Sequence, residues 1–116
     1  MAVTTERLDE GWVLHSRPFR DTSVILEMLT LQRGRCGVVA RAGRRNRLLQ
    51  PFQPLLFNLG GRGELHRLGP VEARSPALSL AGHALYCGFY LNEVLTRVLH
   101  RDDPHPQLLG VYEQTL

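Results

Sequence analysis

Arginine is the residue type that sets the chemistry open to this chain of 116 residues. All fourteen basic residues are arginine, against eleven acids, which gives a net charge of +3. The charge is unevenly placed. Between Met28 and Gly63 stand Arg33, Arg35, Arg41, Arg44, Arg45, Arg47 and Arg62, with no acid, a block of +7. The remaining residues carry seven arginines and eleven acids, or −4. A guanidinium offers a planar, permanently charged fork that grips phosphate oxygens in pairs. The block therefore points to a polyanionic partner, with nucleic acid first. The plainer alternative is a solvated basic face.

Other chemistries find little support. Gly60-Gly61-Arg62-Gly63 has the glycines of a phosphate-cradling loop but not the Lys-Ser/Thr pair that follows one, so it is expected to be a hairpin turn. His100 and His105 flank Asp102-Asp103, but the prolines at 104 and 106 favour a helix start there over a metal site, with Asp103 as cap and Pro104 at the first helical position. His15, His66 and His83 are isolated in sequence. Cys36 lies in an apolar stretch and is expected to be a buried hydrophobe. With Cys87 the only other cysteine, neither a disulfide scaffold nor a cysteine-built zinc site is expected, and a reducing, cytoplasmic setting fits best. No metal, cofactor or catalytic residue is assigned, and the expectation is that the protein is not an enzyme. No run of eighteen apolar residues occurs, and the first ten residues carry three acids, so neither a membrane-spanning helix nor a signal peptide is expected.

The elements that must hold the arginines fall into two blocks. Short apolar runs bounded by Gly, Pro and Asp predict five strands: Trp12–His15, interrupted by Pro18; Ser23–Leu29; Cys36–Ala40, with a bulge or bend at Gly37; Phe52–Leu59; and Glu64–Val71. Five short strands at near-regular spacing predict a small barrel. Past Ser75-Pro76 the period changes. Leu91, Val94, Leu95 and Val98 form a helical stripe within Leu80–Leu99 and are expected to face the interior, and Glu93 and Arg97 are spaced for an ion pair. A second helix follows, with Leu108, Leu109, Val111 and Tyr112 among its apolar residues. Phe89 and Tyr90 are expected in the core. The fold class is α+β, with a barrel domain over residues 1–75 and the first helices of a further domain over 76–116.

Several segments, in order along the chain, resemble the RecO family of DNA repair proteins: 13–23 (VLHSRPFRDTS), Gly34-Arg35, 40–45 (ARAGRR), 49–55 (LQPFQPL), 61–65 (GRGEL), 88–93 (GFYLNE) and 101–106 (RDDPHP). The resemblance implies an OB-type barrel followed by an all-helical domain. It also implies a longer chain, some members carrying a four-cysteine zinc site in the remainder, and a longer basic loop than the one found here between Arg45 and Leu49. The implied function is that of a DNA-binding recombination mediator. It would bind single- and double-stranded DNA, anneal complementary strands and, with RecR, assist RecA loading on strands covered by single-strand-binding protein, in the cytoplasm at the nucleoid. The DNA-contacting candidates are Arg17, Arg20, Arg33, Arg35, Arg41, Arg44, Arg45 and Arg47. Phe19 is the candidate for base stacking, whereas Trp12, Phe52 and Phe57 are expected to be buried. Two alternatives remain: a barrel that docks a repair partner without touching DNA, and an RNA-binding barrel of the translation type.

Overall fold

A computed structural model describes residues 3–5, 8–61 and 63–116. Arg62, part of the basic block, lies outside the described residues. Five strands form β1 (Leu8–Phe19), β2 (Ser23–Thr30), β3 (Gly34–Ala40), β4 (Leu55–Gly60) and β5 (Leu65–Ala73). They close into a barrel in the order β1-β2-β3-β5-β4. The first three strands form an antiparallel meander. Closure comes from β1 against β4, with Leu8 opposite Asn58, and from the parallel pair β3–β5, with Val39 opposite Arg67. Alternating residues fill the interior: Val24, Leu26 and Met28 from β2, Cys36, Val38 and Ala40 from β3, Leu55, Phe57 and Leu59 from β4.

Several strand boundaries differ from the sequence expectation, most of all in β1 and β4. Pro18 does not interrupt β1. It sits near the strand's end, opposite Val24, and β1 runs on to Phe19 with a register shift between Val13 and His15. Phe52 is not in β4; it has φ 69° and precedes the strand by three residues, while its ring is buried. Nor does Gly37 mark a bulge, because β2–β3 pairing is continuous from Val24↔Ala40 to Thr30↔Gly34. A Cβ at Gly37 would come within 2.8 Å of the Arg101 guanidinium, so the residue is small to admit a neighbour.

Two helices, α1 (Gly82–Val98) and α2 (Pro106–Thr115), pack on the outside of the barrel. Trp12 and Leu14 of β1 and Leu29 of β2 form a second apolar cluster with Leu95, Leu109 and Tyr112 of the helices. The Trp12 and Tyr112 rings meet edge to face at a centroid distance of 5.2 Å. The buried row of α1 is Gly88, Asn92 and Leu95, with Leu99 half-buried just beyond the helix end. This row is rotated from the expected one. Leu91 and Val94 are half-buried, and Val98 is 68% exposed. Phe89 and Tyr90 are likewise exposed rather than core residues, although the Phe89 ring touches Phe52. The rotation has a polar cause. Asn92 donates through Nδ2 to the Leu14 carbonyl at 3.2 Å and accepts from the Tyr112 hydroxyl at 2.5 Å. The helix α2 begins two residues later than expected, with His105 before it and Pro106 in its first turn, so Asp103 is not its cap. The pair Arg97–Glu93 forms at 2.7 Å, as its spacing predicts.

The Asn92–Tyr112 bond yields a first test. Tyr112→Phe keeps the ring and removes the donor, leaving Asn92 Oδ1 buried without that partner. A loss of about 1–3 kcal/mol in urea unfolding is expected. No loss would mean that water replaces the hydroxyl.

Candidate nucleic-acid interface

The end of the barrel where β1 stops, β2 starts and β3 stops gathers most of the candidate arginines. Arg17 is opposite Ile25, Ile25 is opposite Val39, and Val39 is opposite Arg67. Directly paired residues share a face, so Arg17 and Arg67 mark the two ends of one row across four strands on the outer surface. Arg41 lies two residues beyond Val39. Arg20 occupies the β1–β2 turn, with φ 57°. Arg44 and Arg45 belong to a 3-10 turn, Gly43–Arg45, and Arg47 follows it. All of these arginines are exposed.

Local sequence explains why the basic loop is presented this way. Gly43 is buried, and a Cβ there would lie 2.6 Å from a Val24 methyl. Leu49 is buried in the barrel core, with Leu48 packed against it. Small and apolar residues thus anchor the loop at both ends while the arginines between them stay in solvent. Arg44 donates to the Arg20 carbonyl at 2.7 Å, joining this loop to the β1–β2 turn. Among the described residues, none of Arg17, Arg20, Arg41, Arg44, Arg45, Arg47 and Arg67 forms an ion pair. Asp21 is the one acid in the adjoining turn.

Beside them lies a cleft of about 610 Å³, bordered by Arg41, Arg67, Asn46 and Asn58 and floored by Ala40, Leu49, Leu59, Leu68 and Val71. It opens where β3 and β5 separate, just past the Val39–Arg67 pair. Its polar rim can hold phosphates and its apolar floor can receive a flat ring.

Arg33 and Arg35 are not part of this group. They stand at the start of β3, about 20 Å away at the usual rise per strand residue. Arg33 is exposed. Arg35 is held: its Nη1 lies 3.0 Å from Glu27 Oε2, its Nε donates to the Leu99 carbonyl at 2.9 Å, and its side chain is 12% exposed. Phe19 is half-buried at the end of β1, and the Arg20 guanidinium carbon lies 5.0 Å from its ring centroid, covering one face. Trp12, Phe52 and Phe57 are buried, as is Cys36, whose thiol burial pushes up to about 12. Asp9 is buried as well, and loss of water raises its pKa against the hydrogen bonds from the Glu10 and Gln32 amides.

Arg67 escaped the sequence reading because a single arginine in a mixed segment carries no weight alone. The signal lay in its place outside the basic block yet on the outward-facing phase of β5. His66 also departs from expectation. Its Nε2 is 3.2 Å from Asp102 Oδ1, so it is not isolated in space.

A closed five-stranded barrel in this strand order, with a basic rim at one end, is an OB-type fold. The chain belongs to the family described as Recombination protein O N terminal, which it matches over residues 1–77. It is similar to the DNA repair protein RecO of Methylococcus capsulatus, at 49% identity over 110 residues, covering 90% of this chain and 46% of that protein. Similarity to the RecO proteins of Alkalilimnicola ehrlichii and Pseudoalteromonas atlantica is 50% and 45%, over 91% and 98% of this chain and 44% and 49% of theirs. The chain spans about half the length of the curated relatives it matches.

Proposed function

We propose that this chain is the DNA-binding part of a recombination mediator in DNA repair, and that it acts by holding strands rather than by bond chemistry. The observation that carries this is the group of seven exposed arginines, free of ion pairs among the described residues, gathered at one barrel end, with Arg41 and Arg67 bordering the cleft. Such a surface grips backbones without reading bases. Its proposed ligands are single- and double-stranded DNA. Mutual repulsion of two strands is screened beyond about 8 Å at physiological salt, so faster pairing requires both strands on one surface with their base edges free. Assistance to RecA loading, together with RecR and on strands coated by single-strand-binding protein, completes the proposal, with the nucleoid as its place of action.

Mixing labelled complementary strands with this chain is the test. Weak, non-specific binding that falls steeply with salt is expected, with slower annealing than a full-length relative gives. Absence of DNA binding at low salt would overturn the proposal. It would favour a protein-docking barrel instead, a reading that the exposed Tyr86, Phe89 and Tyr90 of α1 would then serve.

A further inference from the structure

The barrel end opposite the cleft holds a second group of chemically capable side chains. Cys36 of β3, His66 of β5 and Asp102 of the α1–α2 connection place one donor atom each within 4.8 Å of the others. Sequence separates them by thirty residues or more, and the fold brings them together. Cys36 is 1% exposed and His66 6%, while the Asp102 side chain, at 47%, opens the group to solvent.

We propose that Cys36, His66 and Asp102 bind a zinc-class divalent cation, with a further coordination position open to water. Bond lengths of about 2.0–2.3 Å in tetrahedral zinc sites put ligand atoms roughly 3.3–3.8 Å apart. The group needs to contract by only about 1 Å to reach that spacing. Sulfur and imidazole nitrogen are donors that favour zinc over magnesium or calcium. His66 meets the group through Nε2, which lies 3.2 Å from Asp102 Oδ1 and is therefore the nitrogen placed to coordinate. Asp9 Oδ2 is buried without a hydrogen-bond partner among the described residues.

Such a cation would bond the barrel to the connection between the helices. That connection already rests on the barrel: the Asp102 amide donates to the Arg35 carbonyl at 2.8 Å, and Arg101 reaches Glu27 at 2.7 Å. A Cβ on Gly34, which has φ 69°, would lie 2.2 Å from the Asp103 carbonyl oxygen, so the backbones touch there. Coordination would strengthen a junction that packing has already made.

The test uses Cys87→Ser in the whole chain. Cys87 is exposed and sits 3.4 Å from His83 Nε2, a rival pair on α1. Its removal leaves Cys36 as the only thiol. Titration of this variant with Co²⁺ is expected to produce a thiolate charge-transfer band that saturates at one equivalent and is displaced by Zn²⁺. Added Zn²⁺ is expected to raise its thermal midpoint. Asp102→Asn in the same background, at a half-exposed position, should weaken binding tenfold or more. A folded Cys87→Ser protein without the band would overturn the proposal, and so would a band unchanged by Asp102→Asn. DNA binding plays no part in this readout, so its outcome is separate from that of the arginine surface.

Discussion

Replacing Arg41, Arg44 and Arg45 together with alanine is expected to weaken single-strand binding on the order of a hundredfold at low salt, to a similar degree for every base sequence. The expectation follows from counterion release. Each phosphate contact on a single strand contributes about 0.7 to the slope of log affinity against log salt, so three lost contacts lower the slope by about 2. All three arginines are exposed and without ion pairs among the described residues, so their replacement strips no carboxylate of its partner. Arg44 is the exception in one respect, since its bond to the Arg20 carbonyl is also lost. Arg33→Ala, at the far end of β3, is the comparison and should leave the slope nearly unchanged. Binding measured over a salt series distinguishes the outcomes. A fall in affinity with an unchanged slope would show that the three residues act through the loop's structure and not through phosphate.

Leu95→Ala is expected to cost about 2–5 kcal/mol of folding stability. Leu95 is 9% exposed and belongs to the cluster that joins the helices to Trp12, Leu14 and Leu29. Its removal leaves a void between two elements whose positions are fixed by the Asn92 and Tyr112 hydrogen bonds, so collapse around it is limited. Val98→Ala, one turn on but 68% exposed, should change stability by about 0.5 kcal/mol or less. Urea unfolding of both variants checks the pair. Equal small effects would mean that α1 contributes little to holding the helices on the barrel.

The barrel was legible because its strands carry strong signals. Ser23–Thr30 and Gly34–Ala40 are apolar runs closed by turns, and their observed bounds lie within two residues of the expected ones. The helices were legible as helices, but the face of α1 was not. Gly88 and Asn92 share its buried row with Leu95, and neither of the two adds to an apolar stripe. Asn92 belongs inside only because Leu14 and Tyr112, 78 and 20 residues away, meet its amide. The basic surface was half legible for a related reason. Charge along a chain shows a block, and only the strands' places in the barrel show that Arg33 and Arg35 leave it while Arg67 joins Arg17 on one row. The Cys36–His66–Asp102 group had no local signal at all, since each member stands alone in its own element.

The order of pairing has a consequence for how the chain is made. A ribosome releases the meander β1-β2-β3 first, and those strands can pair with their neighbours as they emerge. They cannot close. The free edge of β1 waits for Leu55–Asn58, and the free edge of β3 waits for Leu65–Arg67. Trp12, Leu14 and Leu29 wait longer still, until Leu95, Leu109 and Tyr112 arrive to cover them. During synthesis the chain therefore carries two open sheet edges and then an uncovered aromatic face, the features that invite pairing with other chains. Distant pairing also slows closure after release. A nascent chain of this sequence is thus expected to depend on protection until α2 is out and covers the barrel face.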